Sequence, residues 1–478
     1  MDQRPAPTAD TADAANTADT ADTATAPQPE EAAAVAASKS ITFPKTTRRD
    51  LQLAGGFVAA ALLGITAVWW TAPARHVEHQ TAAQQFQATY SEAAMAQAYD
   101  TAGVLADTNP LPVPLVVNGL LITAAGSGGS GSSEGSEGST VTAFDTLSGQ
   151  NVWSYSRTDA PLCAAMGGWN NVNMVFRTER GCGDVVALQA SDGTYQRTRS
   201  SNAAEQVLPV RSNDRVGILS ADRVELWRSD LVRTVEFGHV EAPQEADQQP
   251  EIGQDCAMNS ALTRTELLAT VQTCGAEAQL SLQKVTPEDS REPEMHATVQ
   301  IPTTDPESVQ VVAVGQHHSV VYVAAPKPML LTFDEQGIET ARFPLDAPLD
   351  VGRGLIQPIV ADLPHHITWF ADGKLFLFTP ESMQVAHVLD DALGLGIGIT
   401  ATNSLYYPTA AGIRQVNWTT GETEAEIPVQ REVPGITTDA TTPPTSANGS
   451  TQSISLAQAN GVILEKRGQE VAILKPRQ

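Results

Sequence analysis

The chain has 478 residues, enough for two or three ordinary domains or for one large repeat domain with tails. Its 29 Lys and Arg stand against 55 Asp and Glu, a formal net charge of -26, so a phosphate backbone would be repelled and nucleic acid is excluded as a partner.

Residues 1–45 are a low-complexity run of Thr, Ala, Asp and Pro with almost no large apolar side chain. Such a segment buries too little surface to offset its ordering entropy, and a disordered cytoplasmic tail is expected. Residues 46–72 follow as a basic flank and an apolar span. Lys45, Arg48 and Arg49 precede the charge-free stretch from Leu51 to Trp70, which has about the 20 residues a helix needs to cross a bilayer. Trp69 and Trp70 stand where an interfacial belt belongs. The expectation is a single-pass protein of the cell membrane with its N-terminus in the cytoplasm and everything beyond about residue 72 outside. Thr47 to Leu53 also resembles a twin-arginine export signal, and Ala72-Pro73-Ala74 has the small-x-small form of a signal-peptidase site. Both readings export the C-terminal part, and the length of the apolar stretch favours an uncleaved anchor. Residues 73–105 read as a stalk, helical over 77–100, where Ala, Gln and Glu abound and Gly and Pro are lacking.

Residues 106–478 read as all-β. The unit is strand, tight turn, strand, and its clearest copy is VTAFDTLSGQNVWSYS at 141–156. Related hairpins recur at 185–199, 224–237, 280–299, 330–343, 375–388 and 413–427, and VILEKRGQEVAILKPRQ at 462–478 supplies two strands of another. The spacing, averaging about 45 residues, is that of β-propeller blades of four strands. Eight blades are expected, with seven as the alternative. A strand from residues 100–118 would complete the last blade and remove its open edge. In the turn, Asp145 is suited to accept hydrogen bonds from amides and Gly149 to adopt positive φ, while Trp153 is placed to seal a blade interface.

The phrase Ala143-x-Asp145-x-x-Ser148-Gly149-x-x-x-Trp153 resembles the tryptophan-docking motif of the quinoprotein (PQQ-like) propellers. Elsewhere Arg197 or Ala425 replaces the Trp, and Gln189 or Asn417 the Asp, so the resemblance is to the fold superfamily. The layout of basic leader, single span and extracytoplasmic propeller is similar to single-pass membrane proteins of actinobacteria. Catalytic quinoproteins seat their quinone over two adjacent, mutually bonded cysteines beside a calcium ion. This chain has no neighbouring cysteines, and the resemblance therefore implies no quinone, no cofactor and no enzyme.

Cys163, Cys182, Cys256 and Cys274 form two pairs of almost equal spacing, with no CxxC and no neighbouring His cluster to suggest zinc. Two disulfides in an oxidising compartment are expected, each within its own blade. His317-His318 and His365-His366 precede the second strands of adjacent blades, so four imidazoles on one face are weak candidates for a transition metal, without a carboxylate or Cys to complete a ligand pattern. The Gly/Ser stretch at 126–139 lacks the ending of a phosphate loop and reads, like 434–453, as a loop between strands. The functional expectation is a non-catalytic scaffold that binds an envelope or membrane protein. The alternative is a small-ligand or metal sensor, or an enzyme using the central channel.

Overall fold

The computed structural model describes residues 47–89, 92, 95–126, 138–240, 256–289, 292–431 and 453–477. The expected tail falls outside them, as do the stretches 126–139 and 434–453 except for residues 126, 138, 139 and 453. The chain divides into two compact units, Met1–Val68 and Trp69–Gln478.

Arg48–Thr71 is one α-helix. A capping box fixes its start: Thr47 Oγ1 accepts from the Asp50 amide at 3.3 Å, and the Asp50 carboxylate accepts from the Thr47 amide at 2.8 Å. Leu51, Phe57, Leu63, Val68 and Trp70 are all more than half exposed, so apolar side chains project on every side. A helix without a polar face needs an apolar surrounding, and this one is long and apolar enough to cross a membrane.

The second unit is laid down as four-stranded antiparallel meanders in chain order, over residues 115–157, 162–200, 208–238, 256–301, 310–344 and 359–389. All seven hairpins read from the sequence are third and fourth strands of such meanders. An eight-stranded sheet completes the set. It consists of the meander over 397–430 and a second group, Ile454–Ala459, Val462–Arg467 and Glu470–Pro476, finished by Tyr99–Ala106 from the other end of the chain. Tyr99–Ala106 runs antiparallel to Glu470–Pro476, and its first two residues also pair in parallel with Val429 and Gln430. The expected closing strand is therefore present, at the beginning of the expected range 100–118 and starting one residue before it.

Hydrophobic clusters lie between consecutive sheets rather than inside any one of them. Met166, Val175 and Val185 meet Val216, Ile218 and Trp227, and the same relation repeats along the chain. In a further cluster Leu121 of the first sheet packs on Ala459, Leu464, Val471 and Ile473 of the last group, which closes the series into a ring. Being covered on both faces, strands such as Gln310–Val314 are buried at every position, which explains apolar runs without alternation.

Polar locks hold the closure. The Lys466 ammonium uses all three donors, on Asp107 Oδ2 at 2.5 Å, Asp107 O at 2.9 Å and Asn109 O at 3.1 Å, and both side chains are almost fully buried. Asp107 Oδ1 takes the amides of Asn109 and Ala124. Beside it, the fully buried Glu465 carboxylate accepts from both Arg431 and Arg467. Inner strands are joined by side chains that satisfy the neighbour's free backbone: Ser260 Oγ takes the Val311 amide, and Ser455 Oγ the Leu395 amide.

One expectation is overturned. Residues 77–100 do not form a helical stalk: Val77–Gln80 is a strand on the outer edge of the first sheet, antiparallel to Gln150–Arg157, and the described residues from 81 to 98 contain no helix. Helix propensity is worth only tenths of a kcal/mol per residue, and an open sheet edge offers a full ladder of backbone partners instead.

Candidate functional site

A meander alternates its ends. The turns between first and second strands and between third and fourth lie at one end, and the turn between second and third lies at the other with the connection to the next sheet. The ring therefore has two different faces.

The described residues between 77 and 98 strap the first face. His79 Nε2 lies 2.7 Å from Gly193 O, and the amides of Ala82 and Phe86 donate to Asp192 O and Ser191 O. Further on, the Glu92 carboxylate accepts from the amides of Thr400 and Ala401, which hold it below the usual carboxylate range. Every partner is a first-to-second or third-to-fourth turn.

The same face holds the docking positions. Asp145 accepts from the amides of Leu147 and Ser148, Gly149 has φ +73°, and Trp153 is buried with its Nε1 donating to Ala190 O in the next sheet. A Cβ on Gly193 would come within 2.7 Å of that indole, so the neighbouring turn must present glycine. Ala143 is buried beneath, and Ser148 is exposed. His387 does the corresponding work further round the ring: it lies four residues after Met383 (φ +54°) as Trp153 lies four after Gly149, and its ring crosses to Gly421 and Thr419 O of the next sheet.

The two histidine pairs sit in equivalent turns of this face and are engaged separately. His317 Nδ1 lies 2.8 Å from Glu335, while His365 lies 4.2 Å from the Trp418 ring and His366 6.3 Å from that of His387. His318 opens the strand His318–Val323. Burial, with His387 and His365 close by, pushes the His366 imidazole down to about 4. Among the described residues no group of three or more His, Cys, Asp or Glu is arranged to hold a metal. Both disulfides lie within single sheets, Cys163 to Cys182 and Cys256 to Cys274. Cys274 ends a second strand as expected, whereas Cys182 lies just inside a third.

The opposite face carries a cleft of about 950 Å³. It opens between the connection at 350–358, the turn Asp372-Gly373, the connection at 391–393, Ala410 and Ser453, with Gln310 and Trp369 at its inner wall. The 350–358 connection is pinned: Gly354 donates to Glu307 O, Ile356 to Asn259 O, and the Arg353 guanidinium grips Asp305. Tyr322 Oη takes the Leu349 amide at 2.7 Å just before it. Asp372 and Asp391 both have left-handed backbone, φ +47° and +61°, which Asp tolerates better than most residues. Among the described residues the charged groups of the lining are Asp350, Asp372 and Asp391, with no Lys, Arg, His or Cys. Gln310 is 1% exposed. Its Nε2 reaches Val351 O and Gly352 O at 3.4 Å, and its Oε1 has no hydrogen-bond partner among the described residues and is not sealed from the cleft. The sequence held no signal for this site: three acids among many and one glutamine, from four separated segments.

The ring of meanders closed by an N-terminal strand defines a β-propeller, here with an acidic cleft on one face and a strap on the other. No family model and no curated protein matches the chain. Solved structures with a similar fold include BamB from Moraxella catarrhalis, at 11% identity and a TM-score of 0.42 over 79% of this chain and 99% of that one. Sqt1 of Saccharomyces cerevisiae gives 7%, 0.43, 83% and 100%, and the dihydro-heme d1 dehydrogenase NirN 11%, 0.41, 70% and 67%.

Proposed function

We propose that this protein is a membrane-anchored, extracytoplasmic propeller of eight blades that binds another protein of the cell envelope without catalysing a reaction. The observation that carries the reading is the cleft: a preorganised recess with pinned walls, on the face the strap leaves open, whose lining among the described residues offers carboxylates and apolar surface but no paired nucleophile and base. Pinned loops lower the ordering cost of binding. The eight-blade count is supported by the eight-stranded sheet, whose two halves are joined in strand pairing, among the described residues, by the two parallel pairs of Tyr99 and Asp100. Export is supported by two disulfides and by Arg48 and Arg49 in the first turn of the apolar helix, a basic bias that favours an N-terminus in the cytoplasm. The docking motif suggests the quinoprotein superfamily, and the layout of basic leader, single span and propeller suggests membrane proteins of actinobacteria.

The test is capture from membranes. The tagged full chain, crosslinked in place and solubilised, should retain one or a few envelope proteins, and fewer as salt screens the acidic surface. Recovery with no protein but with a stoichiometric metal or small ligand would instead favour a sensor or enzyme.

A further inference from the structure

We propose that the acidic cleft receives an arginine side chain carried on an apolar segment of the partner. This rests on the reading of the propeller as a protein-binding module and specifies what it binds.

The lining decides the chemistry. Asp350, Asp372 and Asp391 are the charged groups of its described lining, and Asp391 has the Arg414 guanidinium 3.6 Å away, outside that lining. The second mark is Gln310, whose side chain is buried and whose Oε1 faces the cleft without a partner among the described residues. A buried amide oxygen left open costs desolvation energy until a donor reaches it, so the inner wall and the rim both ask for N–H groups. Apolar side chains make up part of the remaining wall, with Ile356, Ile359 and Leu393 beside the partly buried Phe370. A guanidinium supplies five donors on a planar frame that pairs with carboxylates and stacks on aromatic faces, and its three-carbon stem suits an apolar wall. A cleft of about 950 Å³ lies at the upper end of the ~300–1,000 Å³ range of ligand pockets, leaving space for the residues flanking that arginine. The net charge of -26 draws a basic segment toward the molecule from a distance.

The probe is a fluorescein-labelled peptide, Gly-Leu-Arg-Leu-Arg-Leu-Gly, titrated against the full chain in detergent micelles and read by anisotropy. Saturable binding is expected, at least tenfold weaker when citrulline, which keeps the shape and loses the charge, replaces both arginines. Asp350→Asn with Asp372→Asn, both exposed positions where folding is not at stake, should weaken binding about tenfold with an unchanged Tm. Gln310→Leu should weaken it while leaving a Lys-Glu control peptide unaffected. Equal binding of the citrulline peptide, or undiminished binding by the double variant, would overturn the proposal. Displacement by agmatine at peptide-like concentrations would assign the cleft to a small cation and overturn it as well. If the membrane capture succeeds equally with wild type and the double variant, this inference fails and the protein-binding reading stands; if neither captures a protein, the broader reading has failed.

Discussion

Replacing Lys466 by Met removes the countercharge that the described residues give a buried carboxylate, Asp107, at the seam of the ring. The ammonium donates to Asp107 Oδ2, Asp107 O and Asn109 O, so its loss leaves one carboxylate oxygen and two carbonyls without their donor. Asp107 keeps the amides of Asn109 and Ala124 on its other oxygen, which limits the damage without neutralising it. Breaking a buried pair from one side costs about 3–5 kcal/mol, whereas removing both charges together is far cheaper. Lys466→Met should therefore lose about 4 kcal/mol, and Lys466→Met with Asp107→Asn about 1–2 kcal/mol, a coupling of at least about 2 kcal/mol. Urea unfolding of the full chain in micelles, with reversibility checked by refolding, reads this through Trp153, Trp227, Trp369 and Trp418, all fully buried. A single variant within about 1 kcal/mol of wild type, or additive losses in the double variant, would refute the idea that this pair locks the ring.

Trp153→Ala should cost about 3–5 kcal/mol by opening the packing over Gly193, and a loss below about 1 kcal/mol would show that the interface does not depend on it. His366 is held to about 4 when folded and titrates near 6.5 when unfolded, so its site is fully stable above pH 6.5 and, because the ring is only half-buried and partly screened by water, loses on the order of 1–2 kcal/mol as pH falls toward 4. The variant His366→Gln should flatten that part of the stability profile between pH 4 and 6.5, and an unchanged slope would place the titration elsewhere. Replacing Cys163 and Cys182 by Ser together should cost about 3 kcal/mol for a loop with a sequence separation of 19, measured by thermal unfolding against wild type. A reporter active only outside the cytoplasm should work when fused after residue 110 and fail before residue 45; the reverse would invert the membrane topology.

The parts legible in the sequence are those set by local chemistry. Asp145, Gly149 and Trp153 announce turn and docking site within eleven residues because a hairpin is a local object, and the turn holds as read. Both cysteine pairs could be matched because each bridge stays within one meander: Cys256 and Cys274 face each other on paired strands, and Cys163 at the start of a first strand reaches Cys182 at the start of the third. The strap was misread because its composition favours a helix in isolation, and only the finished ring supplies Ser191, Asp192, Thr400 and Ala401 as backbone partners. His387 escaped notice because Met383 stands where the motif has glycine, although Thr379 O still receives the Met383 amide as Asp145 O receives that of Gly149. The cleft is the least legible feature, since Gln310 and Ser453 meet there only through tertiary closure.

The seam has a consequence in time. Ala106 pairs with Glu470, and at about 5–20 residues per second of synthesis roughly 20–70 s separate the two. For that interval Tyr99–Ala106 has made its chain but not its ladder, a β edge open to other molecules just as the nascent protein leaves the ribosome. Both disulfides join cysteines within sheets completed long before the last strand emerges, so oxidation need not wait for the ring. A reduced chain and a chain damaged in Glu470–Pro476 should therefore stall at different points of biogenesis, the first with weakened early sheets, the second with sound sheets and an orphaned first strand awaiting a chaperone or a protease.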